Sequence, residues 1–374
     1  MESVNFALHL IAWQRIHGRH HLPWQHNRDP YRIWLSEIML QQTQVSTVIP
    51  YYSRFLARFP NVHTLADAAS DDVMALWSGL GYYARARNLH QCAKIIVQQQ
   101  YNGVFPRTIE QLRSLPGIGR STAAAIAVFA YGIHSPILDS NVKRVLSRIF
   151  GINGFLGDKR VETTMWTLAE SLLPAVYKPP LAGAMNNIEQ CTGTPVEPII
   201  AYTQGLMDLG AMLCLHSRPD CKCCPFTHVC VANLTNRQSE LPTPALRKFI
   251  PTRRTKMLML RSTNQVLLEK RPPFGIWGGL WSLPEADDLY KLAERAKQLS
   301  GKAVVLTPLA SLVHTFTHFR LEIEVQFAQL AADAPKPDSQ ADIAWVRFDI
   351  ISDYGLPSPV RKLLHRTLAS LNLG

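Results

Sequence analysis

Two groups of residues in this 374-residue chain have types and spacing suited to chemistry. The first is a group of cysteines. Of seven, Cys92 and Cys191 stand alone, while Cys214, Cys221, Cys223, Cys224 and Cys230 fall within 17 residues. An odd total argues against a secreted disulfide framework, and crowding of this kind suggests metal ligation. The spacing C-x6-C-x2-C-x5-C selects Cys214, Cys221, Cys224 and Cys230 and leaves Cys223 over. Four thiolates suit either zinc or an iron-sulfur cluster. The second group is a pair of acids. Glu37 lies in Trp34-Leu35-Ser36-Glu37-Ile38-Met39-Leu40-Gln41-Gln42-Thr43-Gln44, the middle of an apolar helix. A glutamate is almost never buried without a partner, so Glu37 belongs in a cleft or at an interface. Burial raises its pKa and makes it a proton donor near neutral pH. Asp139, in Pro136-Ile137-Leu138-Asp139-Ser140-Asn141-Val142-Lys143-Arg144, reads from its neighbours alone as the N-cap of a helix over 142–149.

A third signal is Leu112-Arg113-Ser114-Leu115-Pro116-Gly117-Ile118-Gly119-Arg120-Ser121-Thr122-Ala123. Gly117 and Gly119 around one apolar residue allow a tight turn with uncovered backbone N–H groups, and the next helix adds its positive N-terminus. Residues 112–126 therefore read as a helix-hairpin-helix whose partner is a DNA phosphate. Such a contact positions DNA without reading its sequence.

The elements around these residues fall into two textures. Hydrophobic residues make up 47% and charged residues 18% of the chain, values of a globular protein with a large core. Its length suggests about two or three domains. No run reaches the roughly 18 apolar residues of a membrane span, and the first 19 residues lack the apolar core of a signal peptide, so the expected compartment is the cytoplasm. Thirty-nine Lys and Arg against 28 Asp and Glu give a net charge of +11, pointing to a polyanionic partner. Before residue 241 the apolar spacing is helical: 30–59 steps by threes and fours, Asp71 and Asp72 can cap a helix through Trp77, and Thr108 can cap 109–115. Residues 241–260 hold five basic residues, no acid and three prolines, the composition of a basic linker. Beyond it the period becomes two. Residues 256–260 and 265–268 flank a hairpin turn, 320–327 alternates cleanly, and 289–299 has helical spacing, which predicts a small α+β domain.

The sequence resembles the MutY family of adenine DNA glycosylases. Leu22-Pro23-Trp24, the Glu37 segment, Gly79-Leu80-Gly81-Tyr82-Tyr83-Ala84-Arg85-Ala86-Arg87-Asn88-Leu89, the hairpin, the Asp139 segment, Met207-Asp208-Leu209-Gly210-Ala211 and the cysteine spacing carry the likeness over nearly the whole chain. It implies a multidomain protein: an all-α helix-hairpin-helix glycosylase domain over 1–235, with its active site in a groove between two helical subdomains; a basic linker over 236–255; and an α+β Nudix-like lesion-recognition domain over 256–374. It also implies a [4Fe-4S] cluster on Cys214, Cys221, Cys224 and Cys230, in the loop 214–230. The implied partner of a monomeric enzyme is duplex DNA bearing adenine opposite 8-oxoguanine or guanine. Residues 174–201 look longer than the family's usual connection and read as a surface insertion.

In the implied mechanism the adenine nucleotide is flipped out, with Gln42 and Tyr82 filling the gap. Glu37 protonates the base at N7, Asp139 stabilises the oxocarbenium-like sugar, and Glu37 then assists water at C1′. Asn141 and Ser121 are possible hydrogen-bond partners. The two acids need unlike settings, Glu37 dry with a raised pKa and Asp139 polar and ionised. Gly117, Gly119, Arg120, Lys143 and Arg218 are expected to contact DNA. Ser121 stands where strand-cutting relatives carry a lysine, so the enzyme reads as monofunctional rather than as a glycosylase with lyase activity. The resemblance assigns lesion reading to Phe316, Thr317 and His318. Two other classes remain as alternatives: a pure DNA-binding module, which has no reason to put Glu37 in an apolar helix, and a Nudix-type nucleotide hydrolase, weakened because residues 286–301 offer only Glu294-Arg295 where paired glutamates would hold Mg²⁺.

Overall fold

The computed structural model describes residues 3–175, 197–244, 249–331 and 342–371. Most of the 174–201 insertion, Cys191 included, and residues 245–248 of the linker lie outside the described residues. No described helix is long and apolar enough to cross a membrane. The chain forms two compact units: Met1–Tyr52 with Ile95–Leu246, and Ser53–Lys94 with Arg247–Gly374. The second unit thus takes in a stretch of helical sequence far upstream of the linker.

Among the described residues the first unit is helical, apart from one bridge between Phe155 and Thr243. Side-chain caps start its helices. Asp29 accepts from the Tyr31 N–H ahead of Pro30–Leu40, with Pro30 where a missing N–H costs nothing. Thr108 and Gln111 form a reciprocal capping box on Ile109–Arg113. The pattern over 30–59 splits into Pro30–Leu40 and Val45–Arg58. The break falls where Gln42 adopts φ +57°, which no helix continues through. The core buries Phe6, Leu10, Leu138, Val142, Tyr202 and Leu206, with Phe6 stacked on Phe226 at 4.7 Å.

In the second unit the helix through Trp77 starts at Ser70, and its N-cap, Ala69, provides no side-chain acceptor. Asp71 and Asp72 therefore sit in the first turn, where they favour the helix dipole instead of capping, unlike the sequence expectation. Eight strands form one mixed sheet around a parallel pair, Thr252–Ser262 beside Arg320–Leu330. Thr252–Ser262 turns through Thr263 and Asn264 into antiparallel Gln265–Lys270, which pairs onward with Ile343–Arg347. Arg320–Leu330 alternates buried and less buried positions as far as Gln326, as a period of two requires, and changes phase at Phe327, after which Ala328 and Leu330 are buried. Leu289–Ser300 lays Leu292, Ala296 and Leu299 on Leu258, Leu260 and Leu267 to close the core on one sheet face.

Candidate functional site

The helix Pro30–Leu40 buries Ile33, Trp34, Leu35, Ile38 and Met39. Glu37 is left on the wall of a cavity of about 590 Å³, beside Trp24, Gln25, Arg28, Phe129 and Gln204. The Glu37 residue is half-buried. Burial first, and then the Asp139 charge, push its pKa up to about 8. At neutral pH it therefore holds a proton. The wall is fixed by satisfied polar groups. Gln25 accepts from the Leu22 N–H at 3.1 Å and donates to the Arg19 carbonyl at 3.0 Å. The fully buried Asp208 accepts from Arg19 Nε at 2.7 Å, Arg19 N at 2.9 Å and Gln204 Nε2 at 2.9 Å, which offsets the cost of its burial. Arg19, Gln25 and Gln204 carried no sequence signal of their own.

Asp139 is the N-cap of Ser140–Phe150 and accepts from the Val142 N–H at 2.8 Å. Its setting differs from the polar one expected: burial raises its pKa, against the N–H groups of Val142 and Asn141 and the charges of Arg144 and Lys143, which lower it. The helix N-terminus is thus what opposes desolvation of this acid. Ser121 Oγ accepts from the Leu138 N–H at 2.9 Å, holding the approach to Asp139. Asn141 Oδ1 accepts from Arg144 Nη2 at 2.9 Å. Both side chains are therefore engaged with the protein and position the backbone around Asp139.

In the hairpin, Gly117 has φ +78°, a conformation a side chain would strain. Gly119 is the N-cap of Arg120–Tyr131 with ordinary φ, and no atom lies within 4 Å of where a Cβ would stand, which leaves its backbone open to solvent. Gln41, at the end of the Glu37 helix, donates to the Gly117 carbonyl at 3.4 Å and to Thr122 at 3.3 Å, tying acid and hairpin together. The Arg120 guanidinium lies 3.7 Å over the Trp166 ring, and Lys143 Nζ pairs with Glu162 at 2.7 Å. Gln42 and Arg218 are exposed.

Cys214, Cys221, Cys224 and Cys230 line one pocket, and the exposed Cys223 is not among them. None is in a disulfide. Among the described residues, no three His, Cys, Asp or Glu side chains are placed to hold a single metal ion. Four thiols are donors of a kind that zinc or iron accepts. Burial first, with three neighbouring thiols adding, pushes Cys224 up to about 12, so this thiol does not become anionic by itself. Arg148 Nη1 approaches Cys214 Sγ at 3.5 Å and also donates to the Leu215 carbonyl, while its other nitrogens reach the Leu241 and His216 carbonyls. Gln238 Nε2 approaches Cys221 Sγ at 3.9 Å. A helical turn widened to a π turn over Leu209–Leu213 delivers Cys214, and Gly210 lets it pass close to Asn141.

Within the second unit, Tyr82 is exposed and Tyr83 buried, in a turn with Gly79, Gly81 and Tyr82 all at positive φ. Phe316 stacks on Phe319 at 4.5 Å and accepts the Trp277 ring at 5.7 Å. Thr317 and His318 stand exposed beside it. Of the acids near the weakened Nudix box, Glu285 pairs with Arg271, Glu269 pairs with Arg295 at 2.7 Å, and Glu294 points to solvent.

Residues 35–171 match the HhH-GPD superfamily of base excision DNA repair proteins, and residues 256–366 match the NUDIX domain. The first match and the helical fold define a base excision DNA repair protein of the HhH-GPD superfamily, and the second a Nudix-like domain that follows it. A solved thermostable thymine-DNA glycosylase superposes with a TM-score of 0.52 at 25% identity, over 62% of this chain and 97% of that one. The adenine DNA glycosylase of Buchnera aphidicola subsp. Baizongia pistaciae (strain Bp) is 36% identical over 97% of each chain. The human adenine DNA glycosylase is 30% identical over 92% of this chain and 70% of its own. The chain belongs to the adenine DNA glycosylase family. It is an enzyme that hydrolyses N-glycosyl bonds in DNA.

Proposed function

We propose that this enzyme excises adenine paired with 8-oxoguanine or guanine in duplex DNA and leaves an abasic site. The observation that carries the reading is Glu37: a carboxyl that keeps its proton at neutral pH, on the wall of a cavity, within electrostatic reach of a second carboxyl. Flipping the nucleotide costs a few kcal/mol, and Gln42 and Tyr82 fill the gap it leaves. In the cavity Glu37 gives its proton to N7 of adenine. The C1′–N9 bond then breaks with its electron pair going to the base, which departs neutral. Asp139, as carboxylate, stabilises the cationic sugar. Water adds at C1′, its proton passes to Glu37, and the acid is restored. No lysine stands at position 121 to form an imine with C1′, so the reaction ends at hydrolysis.

Gly117, Gly119, Arg120, Lys143 and Arg218 hold the DNA backbone in this reading, and Phe316, Thr317 and His318 read the lesion. We assign the chemistry to 1–235, the connection to 236–255, whose last four residues already belong to the strand Thr252–Ser262, and lesion recognition to 256–374. Cys214, Cys221, Cys224 and Cys230 would hold a [4Fe-4S] cluster. Support comes from the four thiols lining one pocket, with Cys223 outside it. Bound there, the cluster would supply a redox-capable centre that braces the 214–230 loop. Single-turnover release of adenine from duplexes differing only in the opposite base tests the proposal. Release opposite 8-oxoguanine and guanine, and not opposite thymine, is expected; equal release from all three would refute it.

A further inference from the structure

The turn that carries Tyr82 is held in part from nearby, where Trp77 Nε1 and Arg85 Nη2 donate to the Gly81 carbonyl at 3.2 and 3.3 Å. Gly79, Gly81 and Tyr82 have φ of +106°, +74° and +48°. Tyr82 in particular occupies a region that a residue with a side chain keeps only when its surroundings over-determine it. Within the second unit a further part of those surroundings comes from the C-terminal half of the chain. Ser78 Oγ donates to the Leu356 carbonyl at 2.6 Å and accepts from the Leu356 N–H at 3.1 Å and from Arg361 Nη2 at 2.6 Å, which uses its hydrogen-bonding capacity in full. Tyr83 donates to the same carbonyl at 3.5 Å and accepts from the Gly79 N–H at 3.3 Å. Gly355 makes this seam possible, because a Cβ there would stand 3.0 Å from the Met74 backbone. Its carbonyl accepts from the Trp281 N–H at 2.9 Å, so the seam is anchored in the sheet.

A second tie leads to the aromatic cluster. Arg87, one helical turn beyond Tyr83, donates through Nη1 to the Gly278 carbonyl at 2.7 Å. The residue before Gly278 is Trp277, buried and itself at φ +55°, whose ring lies 5.7 Å from both His314 and Phe316. A continuous chain of contacts therefore runs from the 316–318 loop through Trp277, Gly278 and Arg87 to the Tyr82 turn.

We propose that Arg87, seconded by Arg361, is a positioning residue that couples the 316–318 loop to the Tyr82 turn, so that a recognised lesion sets the wedge that replaces the flipped base. This rests on the reading of Tyr82 as wedge and of 316–318 as lesion reader. The test uses the full-length protein and duplexes with 2-aminopurine or adenine opposite 8-oxoguanine or guanine. Base flipping is read by 2-aminopurine fluorescence, and excision under single turnover. Arg87→Met keeps the aliphatic stem and removes the donor. It is expected to reduce the preference for 8-oxoguanine over guanine, in flipping and in excision, by about fivefold or more. Arg87→Lys should restore part of it. In a Thr317→Ala, His318→Ala background, Arg87→Met should add nothing, because the two act along one path. A purely structural role would lower melting temperature and slow both substrates alike. An unchanged preference, equal losses on both substrates, or full additivity with the loop variant overturns the proposal. Should Arg87→Met not fold, Arg361→Met is judged by the same outcomes. Tyr82→Ala and the loop variant alone test the underlying reading. If they alter flipping and preference and Arg87→Met does not, only the coupling fails; if they alter neither, the reading itself fails.

Discussion

Replacing Glu37 by Gln keeps the shape of the side chain and removes its titrating proton, and the structure sets what that does at each pH. Burial and Asp139 lift the Glu37 carboxyl from an ordinary 4.5 to about 8. Below 4.5 both folded and unfolded chains hold the proton, and the shift costs nothing. As pH rises from there the unfolded chain releases the proton while the folded chain keeps it, so wild-type stability falls until the folded group also ionises near 8. With about 1.4 kcal/mol for each pK unit, the cost at pH 7 is roughly 3 kcal/mol, an upper value because Glu37 is only half-buried. Gln carries no such cost. Denaturant unfolding of the two proteins across this range is therefore expected to show a gap near zero at pH 4.5 that grows to about 2 to 3 kcal/mol in favour of Glu37→Gln at pH 7. The same substitution should retain duplex binding and lose adenine excision. Wild-type excision should itself decline as pH rises through about 8, where the proton-donating form disappears. A stability gap independent of pH would show that Glu37 is not desolvated. Excision by Glu37→Gln at the wild-type rate would refute its role as the acid.

The remaining expectations concern products, metal and lesion. With Ser121 in place of a lysine, a labelled strand should stay intact after treatment with enzyme and break only on later alkali; prompt enzyme-dependent nicking would contradict the hydrolytic mechanism. Cys223 faces solvent away from the pocket lined by the other four cysteines, so Cys223→Ser should leave iron content and broad visible absorption unchanged, whereas Cys224→Ser should lower both. Zinc without iron in anaerobically purified protein would count against the cluster. Thr317→Ala with His318→Ala should weaken discrimination of 8-oxoguanine from guanine by about 1 to 3 kcal/mol, as expected for one good contact pair, and change A:G excision much less. Equal losses on the two mispairs would remove the loop from lesion reading.

What could be read before the structure was whatever a side chain announces locally. An acid inside an apolar run marked Glu37, spacing picked four cysteines and left Cys223, and alternation over 320–327 marked most of the strand Arg320–Leu330. The setting of Asp139 was not legible, because it is a balance: the sequence shows that Asp139 can cap a helix, but not that burial outweighs the N–H groups and cations that the cap brings. Nor was the grouping of Ser53–Lys94 with the C-terminal half. Its ties run from Ser78 and Arg87 to the carbonyls of Leu356 and Gly278, across 278 and 191 residues. Every residue offers a carbonyl, so an acceptor of this kind leaves no mark in composition or period. The one trace such a contact leaves is steric. A Cβ on Gly278 would stand 2.6 Å from the Pro273 carbonyl oxygen, and one on Gly355 3.0 Å from Met74. These glycines admit a close backbone approach, where the glycines around Tyr82 supply positive φ. From sequence alone the two uses look the same, which is why Gly79 and Gly81 can be read as a turn while the seam that holds that turn in place becomes visible only in three dimensions.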